Sequence, residues 1–423
     1  MFSNKFSKNF SNKSNKSNKS NKSNKSNKSN KSRMQNSNLY NLRNFSGGPG
    51  VLPQCVLQQL SEEIINVPEM NLSLLGISHR SDWFANVVVE LEQRFLQLLN
   101  LSADEYKVLF LQGGATQQFA QIPYYFYDYN KQAKPEYIVS GYWSRLAFAE
   151  AQNIISNNHK IQNPINKIWD GENIKFEHLP SQNDIVCNDN AAYLHYISNE
   201  TVEGLQFNFI PNENSKNPNL LRIIDMSSDL LSRPIEANKF GIIYAHAQKN
   251  LGPAGITVII IRKNLYENKQ NLGWCSAFDY YKQAEKNSIY NTPPVFAIYT
   301  TLLVLRWMQN EIGNLQNMEK INNQKAALLY NVLDEIYQQN QFYIPQVPEK
   351  YKESRSIMNV SFHLQNAEIT QKFLQQAEQQ AKLFGLKGHR SLGGIRASIY
   401  NAMPLKSVEL LADFLRDFWN KNK

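Results

Sequence analysis

One lysine, Lys249, stands in a turn-rich stretch between two short apolar runs and could carry covalent chemistry. The runs 240–245 and 256–262 are rich in β-branched and aromatic residues, which predicts two buried strands. Burial would lower the pKa of the amine and free the lone pair that attacks a carbonyl carbon to form a Schiff base. A lone turn lysine is more commonly a solvated surface residue, so the functional interpretation depends on its neighbours.

Two further residues could serve the same chemistry. Asp225 ends the apolar run 220–225, where a buried carboxylate needs either a turn to cap or a cationic partner. The functional alternative is a partner for the protonated nitrogen of a pyridoxal ring, which keeps that ring electron-poor. Trp143 follows a predicted strand, and its indole could stack on a flat ring, although a core tryptophan is the more common interpretation.

A glycine turn offers a place for an anion. Gly113 and Gly114 lie between a predicted strand and a predicted helix, with Ala115 and Thr116 behind them. Backbone N–H groups at such a helix N-terminus favour phosphate, although many glycine turns bind nothing. The sequence contains neither a complete G-x-x-x-x-G-K-[ST] nor a complete G-x-G-x-x-G motif, which argues against nucleotide or dinucleotide binding.

Cationic groups beside glycines form the last set of candidates. His79 and Arg80 lie in one loop, and His389, Arg390 and Arg396 lie in another. Planar guanidinium groups suit carboxylates and phosphates. An isolated arginine is ordinarily a surface residue, but two such loops suggest a doubly anionic substrate.

The hydrophobic pattern predicts a scaffold that brings these candidates together. Apolar runs alternate with amphipathic segments, which predicts an α/β fold with a mostly parallel sheet and helices on both faces. In such folds ligands bind beyond the carboxyl ends of the strands. The predicted strands are 106–111, 137–140, 191–196, 220–225, 240–245 and 256–262, with helices at 53–65, at 83–99 and from 119 onward.

A smaller α+β unit is predicted at the C-terminus. A chain of 423 residues exceeds the size at which one core stops growing, so two domains are expected. The expected division is a low-complexity tail over 1–36, a large α/β domain over 37–300 and a small domain over 301–423. The elements predicted there are helices at 296–308, 316–338, 370–384 and 406–419, with strands at 357–362 and 395–400.

The positive charge of the chain is concentrated in its first residues. The formal net charge is +9, but residues 1–33 hold nine lysines, one arginine and no acid, so the remainder carries −1, the difference between +9 and +10. Nucleic-acid binding by the body is therefore not expected. A Ser-Asn-Lys repeat predicts a disordered tail. An inert extension, an upstream start with Met34 as the true first residue, and a polyanion-binding or targeting tail stay open.

Cysteine usage and hydropathy indicate the cellular compartment in which the protein is expected. Cys55, Cys187 and Cys275 are far apart, without a C-x-x-C pair or histidines at metal-ligand spacing. Neither a disulfide framework nor a metal site is expected, and a reducing cytoplasm is the expected compartment. The apolar runs are shorter than about 18 residues, so no membrane association is predicted.

Seven motifs, in order, resemble the phosphoserine aminotransferase family, which belongs to class V of the fold-type I pyridoxal-phosphate enzymes. The resemblance covers residues 44–417 and implies that fold, with a seven-stranded, mostly parallel sheet in the large domain and a smaller C-terminal domain. The motifs lie at 78–80, 141–143, 198–204, 231–235, 247–255, 291–294 and 396–404.

The resemblance implies pyridoxal 5′-phosphate as cofactor. Lys249 would hold it as a Schiff base and move a proton, Trp143 would stack on its ring, Thr201 would hydrogen-bond its phenolic oxygen, and Asp225 would pair with the ring nitrogen. The residues implied around its phosphate are Ala115, Thr116 and Gln248, with Asn291 and Thr292 from a second subunit.

The same resemblance implies the substrates. Arg396 would clamp the α-carboxylate, while His389 and Arg390, with His79 and Arg80 of a neighbouring subunit, would receive the substrate phosphate or the side-chain carboxylate of glutamate. The implied reaction transfers the amino group from L-glutamate to 3-phosphohydroxypyruvate, for serine biosynthesis, in a homodimer with shared active sites. Use of 4-phosphooxy-L-threonine in pyridoxine biosynthesis is left open.

Two positions depart from the family pattern. Thr116 stands where some members have arginine, and Gly47 stands where others have serine, so each position lacks a group expected near the substrate. A class V transaminase for a non-phosphorylated amino acid is therefore a second hypothesis, favoured by Thr116 alone. A non-catalytic protein tethered to polyanions by its basic tail is the third.

Overall fold

The structure is a computed structural model that describes residues 41–128, 133–159, 164–212, 217, 220–268 and 275–423. The predicted tail over 1–36 lies outside the described residues. The strands are β1 (Tyr106–Gln112), β2 (Glu136–Val139), β3 (Asn166–Asp170), β4 (Leu194–Ile197), β5 (Asn199–Glu200), β6 (Leu205–Gln206), β7 (Arg222–Asp225), β8 (Ile242–His246), β9 (Ile256–Arg262), β10 (Tyr343–Pro345), β11 (Asn359–Leu364) and β12 (Ile395–Ser398). The α-helices are α1 (Gln54–Glu63), α2 (Asp82–Leu98), α3 (Ala115–Phe126), α4 (Tyr142–His159), α5 (Asn264–Glu267), α6 (Tyr280–Glu285), α7 (Val295–Trp307), α8 (Leu315–Asn340), α9 (Ala367–Gln379) and α10 (Leu405–Asn422).

A seven-stranded sheet in the order β1-β9-β8-β7-β4-β2-β3 is the largest sheet within the described ranges. Strands β8, β7, β4, β2 and β3 pair in parallel, whereas β9 runs antiparallel to both of its neighbours, β1 and β8. Strands β7 and β9 are buried almost throughout, as expected of strands covered on both faces. The expected α/β fold with a mostly parallel sheet is confirmed.

Some element boundaries differ from the prediction. Helix α3 begins at Ala115 rather than Phe119, and one polar residue of its first turn is bonded inside the fold: the buried Gln118 donates to Gln121 and accepts from Tyr280. Helix α9 begins at Ala367, where the Asn366 side chain caps it. Strand β3 was not predicted, since it is a half-buried strand at the edge of the sheet.

A second, antiparallel sheet of β10, β11 and β12 lies in the C-terminal part, with its own hydrophobic core. Phe45 and Val51, from the glycine-rich loop that precedes α1, belong to this core. Residues 42–423 group as one unit, and the predicted boundary near residue 300 stays a prediction. No helix in the described ranges is long and apolar enough to cross a membrane.

Candidate active site

A cavity of about 410 Å³ lies at the carboxyl ends of the central strands and contains Lys249. Gly114 follows β1, Trp143 follows β2, and Asn199 follows β4, while Asp225 ends β7; all four line the cavity. The sheet topology therefore brings together side chains that are far apart in the sequence, as expected of parallel α/β folds.

Most of the predicted site residues line this cavity. They are Ala115, Thr116, Trp143, Thr201, Asp225, Gln248, Lys249, His389 and Arg396. The other predicted residues are not part of its wall: His79, Arg80, Asn291, Thr292 and Arg390. Of these, all except His79 are exposed. The resemblance assigns four of the five to a neighbouring subunit.

Lys249 lies in the turn between β8 and β9. The turn is closed where Ala247 N–H donates to Ile256 O, and Leu251 and Gly252 both donate to Ala247 O. The Lys249 amine lies 5.3 Å from the centre of the Trp143 ring and makes no hydrogen bond with any described residue. Burial lowers the pKa of Lys249 to about 8, against the opposing effect of the Asp225 carboxylate. A substantial fraction of the amine is therefore neutral near physiological pH.

Asp225 has one oxygen in use and one free within the described structure. Its Oδ1 accepts from Ser227 N–H at 2.8 Å and from Ser227 Oγ at 2.6 Å, so the carboxylate does cap a turn. His246 N–H in turn donates to Ser227 Oγ at 3.0 Å, which fixes that hydroxyl. Burial raises the pKa of Asp225, while the Ser227 bonds and the Lys249 charge oppose this effect. The second oxygen remains for a cationic partner, so the two alternatives for Asp225 are compatible.

Trp143 is held at the first turn of α4. Its Nε1 donates to Thr201 Oγ1 at 2.9 Å, and its backbone N–H donates to the buried Glu200 carboxylate at 3.0 Å. Ser144 N–H donates to the other Glu200 oxygen at 2.9 Å. Because Thr201 Oγ1 accepts from the indole, its own O–H is left to donate to a bound oxygen. The indole plane is thus fixed beside Lys249.

The glycine turn and the start of α3 form one wall of the cavity. Gly113 has φ +103°, a backbone conformation that residues with a side chain rarely adopt, so a substitution there would strain the turn. Helix α3 begins immediately afterwards, and the N–H groups of a first helical turn have no intrahelical partner. Those of Ala115 and Thr116 are therefore available to a phosphate, which the helix N-terminus also attracts electrostatically.

Arg396 supplies the fixed positive charge of the cavity. It lies on β12, and its Nη1 donates to Thr201 O at 3.2 Å, while its buried Nε makes no hydrogen bond with described residues. His389 lines the same wall, and burial, then the charges of Arg396, Arg390 and Lys249, lower its pKa. His389 is therefore neutral near physiological pH and can donate a hydrogen bond to an anion.

Several residues of the site were not singled out in the sequence. Ser227, Ser228, His246, Asn199 and Phe119 line the cavity, and Glu200 holds α4 in place. Ser227 and Ser228 directly follow Asp225, and Asn199 and Glu200 belong to the motif that contains Thr201. Their nearness to predicted residues is the signal that could have found them.

The sequence profile described as "Aminotransferase class-V" matches residues 42–411, and the chain belongs to this family. A phosphoserine aminotransferase of Desulfatibacillum aliphaticivorans is 42% identical over 381 residues, covering 90% of this chain and 99% of that protein. The solved phosphoserine aminotransferase of Bacillus circulans subsp. alkalophilus is 40% identical, covers 90% of this chain and 99% of its own, and superposes with a TM-score of 0.81. A pyridoxal-phosphate-bound phosphoserine aminotransferase of Trichomonas vaginalis is 32% identical, with 88% and 99% coverage and a TM-score of 0.76.

Pyridoxal 5′-phosphate is the cofactor of this class, and the residues of this chain fit it. The free oxygen of Asp225 suits a protonated ring nitrogen, and the fixed indole of Trp143 suits a flat ring. Lys249 has the unbonded, partly neutral amine that a carbonyl group requires. The helix N-terminus at Ala115 suits the phosphate.

Proposed function

We propose that this chain catalyses the reversible transfer of the amino group from L-glutamate to 3-phosphohydroxypyruvate, giving O-phospho-L-serine and 2-oxoglutarate. The observation that carries the proposal is the position of Lys249, Asp225 and Trp143 in one cavity with Arg396. The relatives named phosphoserine aminotransferase, at about 40% identity over 90% of the chain, support the choice of substrate. Serine biosynthesis is the pathway in which this reaction belongs.

In the proposed mechanism, the residues of this chain bind, orient and move a proton. When bound, pyridoxal phosphate supplies an electron sink that stabilises negative charge at the substrate Cα. Lys249 would hold the cofactor covalently until the substrate amine displaces it, and the released Lys249 amine would then remove the proton from the substrate Cα. Asp225 would stabilise the positive charge of the ring nitrogen, and Trp143 would stack against the ring.

Substrate recognition is proposed to use the two ends of the cavity. Arg396 binds the α-carboxylate common to all the amino acids and oxo acids of the reaction, because a guanidinium fork matches a carboxylate. His389 and Arg390 receive the distal phosphate or carboxylate. His79 and Arg80 complete that distal site from the partner subunit, since neither lies in the wall of the cavity of its own chain.

We infer a homodimer in which each site contains residues of both subunits. Large apolar side chains are exposed near the loops expected to cross the interface, where a second subunit would cover them. Ile65 is 77% exposed and Leu75 67% exposed in the segment before Arg80, and Tyr290 is 42% exposed next to Asn291. A cytoplasmic location is part of the same proposal and is testable by fractionation.

The visible absorbance of the purified, cofactor-loaded protein tests the function. We expect the band of the lysine-bound cofactor to disappear on addition of L-phosphoserine and to change much less with L-serine at the same concentration. Equal responses to the two amino acids would favour a transaminase for a non-phosphorylated substrate. No response to either, after incubation with pyridoxal phosphate, would contradict the proposed enzyme activity. A protein lacking residues 1–33 should respond like the full chain.

A further inference from the structure

Lys325 is a buried lysine that the proposed chemistry does not use. It lies on α8 and is 0% exposed. No carboxylate of a described residue pairs with it; its amine instead donates to Ile399 O at 2.9 Å and to Tyr400 O at 2.7 Å. A neutral amine has two N–H donors, which matches these two acceptors. Burial alone lowers the pKa of Lys325 to about 7.

The two carbonyl groups belong to the segment that leaves β12. Arg396 lies on this strand, and the chain continues through Ser398 to Ile399 and Tyr400. Burying a lysine costs free energy of folding, because its amine must leave water, so the amine is held to the acceptors that it finds inside the protein. Lys325 therefore fixes the backbone at a point three to four residues beyond the arginine proposed to bind the substrate.

Tyr400 connects this segment to the glycine-rich loop that precedes α1. Its hydroxyl donates to Gly47 O at 2.8 Å and accepts from the Asn359 amide at 3.3 Å. The Gly47 Cα faces Arg396, since a Cβ built there would lie 2.5 Å from the Arg396 Cζ. Lys325 thus fixes the backbone of Tyr400, and the glycine-rich loop fixes its hydroxyl. The same loop lies against the guanidinium group of Arg396.

The same segment is also hydrogen-bonded to the turn between β8 and β9 that contains Lys249. Asn401 N–H donates to the Asn250 side chain at 2.9 Å, and Asn250 is the residue after Lys249. Asn322, one turn before Lys325 on α8, donates to the Asn401 side chain at 2.9 Å. Helix α8 is therefore hydrogen-bonded, through residues 399–401, to both the substrate-binding and the cofactor-binding parts of the cavity.

We propose that Lys325 is a positioning residue for Arg396: by holding the carbonyl groups of Ile399 and Tyr400, it fixes β12 against the Gly47 loop and thereby sets the place of the substrate α-carboxylate. The substrate-binding part of this inference rests on the proposed function. The positional part is a property of the folded chain alone.

Lys325→Met tests the inference, because methionine keeps an unbranched apolar side chain and removes both hydrogen bonds. Tyr343→Phe is the matched control: it removes a buried donor to a backbone carbonyl, Leu415 O at 2.9 Å, in the same C-terminal core. Both cofactor-loaded variants are compared with wild type by steady-state kinetics with L-phosphoserine. Hydrogen exchange of residues 44–50 and 395–401 is measured on the same proteins.

For Lys325→Met we expect faster exchange in both segments and an about tenfold rise in KM with a smaller change in kcat, the scale expected for a misplaced binding group. Tyr343→Phe should change neither. In a double-mutant cycle with Tyr400→Phe, the effect of the two substitutions together on KM should be smaller than the sum of their separate effects. A Lys325→Met protein with a lower Tm but unchanged KM and exchange would overturn the inference. If the wild type lacks transaminase activity, the proposed function fails and the exchange comparison still decides the positioning.

Discussion

Gly47 lies directly against the guanidinium group of Arg396, with no space for a side chain between them. A Cβ at Gly47 would lie 2.5 Å from the Arg396 Cζ and would overlap Nη2. The loop cannot easily retreat, because Tyr400 holds Gly47 O at 2.8 Å. A side chain at residue 47 would therefore require the Arg396 guanidinium group to shift.

Gly47→Ala and Gly47→Ser should both displace Arg396 and weaken binding of the α-carboxylate. We expect KM to rise several-fold for L-glutamate and for L-phosphoserine alike, because both carry this carboxylate. Comparing the two variants separates the added Cβ from the added hydroxyl. A serine variant with wild-type KM beside an impaired alanine variant would mean that the hydroxyl compensates; two variants with wild-type KM would contradict the steric argument.

Thr116→Arg should improve recognition of the phosphorylated substrate. Thr116 lines the cavity at the N-terminus of α3, where an added guanidinium can form charge-assisted hydrogen bonds with a dianion. We expect KM for L-phosphoserine to fall several-fold, with a smaller effect on L-glutamate, whose distal carboxylate carries one charge. Steady-state kinetics with both substrates gives the ratio of the two KM values in the variant and in the wild type. An equal change for the two would show that residue 116 does not distinguish phosphate from carboxylate.

Covalent loading of the cofactor should depend on pH through Lys249. The neutral amine is the nucleophile, so the loading rate should rise as pH passes about 8 and level off above it. In Asp225→Asn the midpoint should move to lower pH, because the carboxylate that stabilises the ammonium is removed. Absorbance after mixing apoprotein with pyridoxal phosphate gives the rate. Glu236→Gln, at an exposed carboxylate, is the control, and a midpoint near that of an ordinary lysine would contradict the effect of burial.

The proposed sharing of active sites between two subunits predicts complementation between inactive subunits. Lys249→Ala removes the nucleophile and should abolish turnover, whereas Lys239→Ala, at an exposed lysine, should not. Arg80→Ala should impair the site of the other subunit. Mixed dimers of Lys249→Ala and Arg80→Ala chains, made by refolding together, contain one site with both residues intact, so activity should exceed that of either variant. Activity no higher than the average of the two separate variants would argue against a shared site.

Lys325 should make stability depend on pH. Its pKa is about 7 in the folded chain and about 10.4 in an unfolded one. Between these values the unfolded state binds more protons, so the free energy of unfolding rises with pH by up to about 1.4 kcal/mol per unit from this group. Lys325→Met lacks this contribution. Urea unfolding between these two pH values should show that the free energy of unfolding rises more steeply with pH in the wild type than in Lys325→Met. Parallel pH dependences of the two proteins would contradict a depressed pKa of Lys325.

Local patterns explain why much of the site could be predicted. Lys249 lies between two apolar runs that are indeed strands β8 and β9, and Asp225 ends a run that is β7. The contacts that could not be predicted join residues that are far apart in the sequence. Lys325 bonds to carbonyl groups 74 and 75 residues away, and Glu200 accepts from backbone groups 56 and 57 residues away. No periodicity or motif records such contacts.

The sequence by itself determined the alternation of strands and helices, the mostly parallel sheet, and the chemical types placed at strand ends, because hydrophobic period and side-chain chemistry are local properties. Only the tertiary structure decided which of these groups meet and in what state. The low pKa of Lys249, the free oxygen of Asp225 and the contact between Gly47 and Arg396 depend on burial and on distances between remote segments. Desolvation and packing act in three dimensions, so they exist only once the chain has folded.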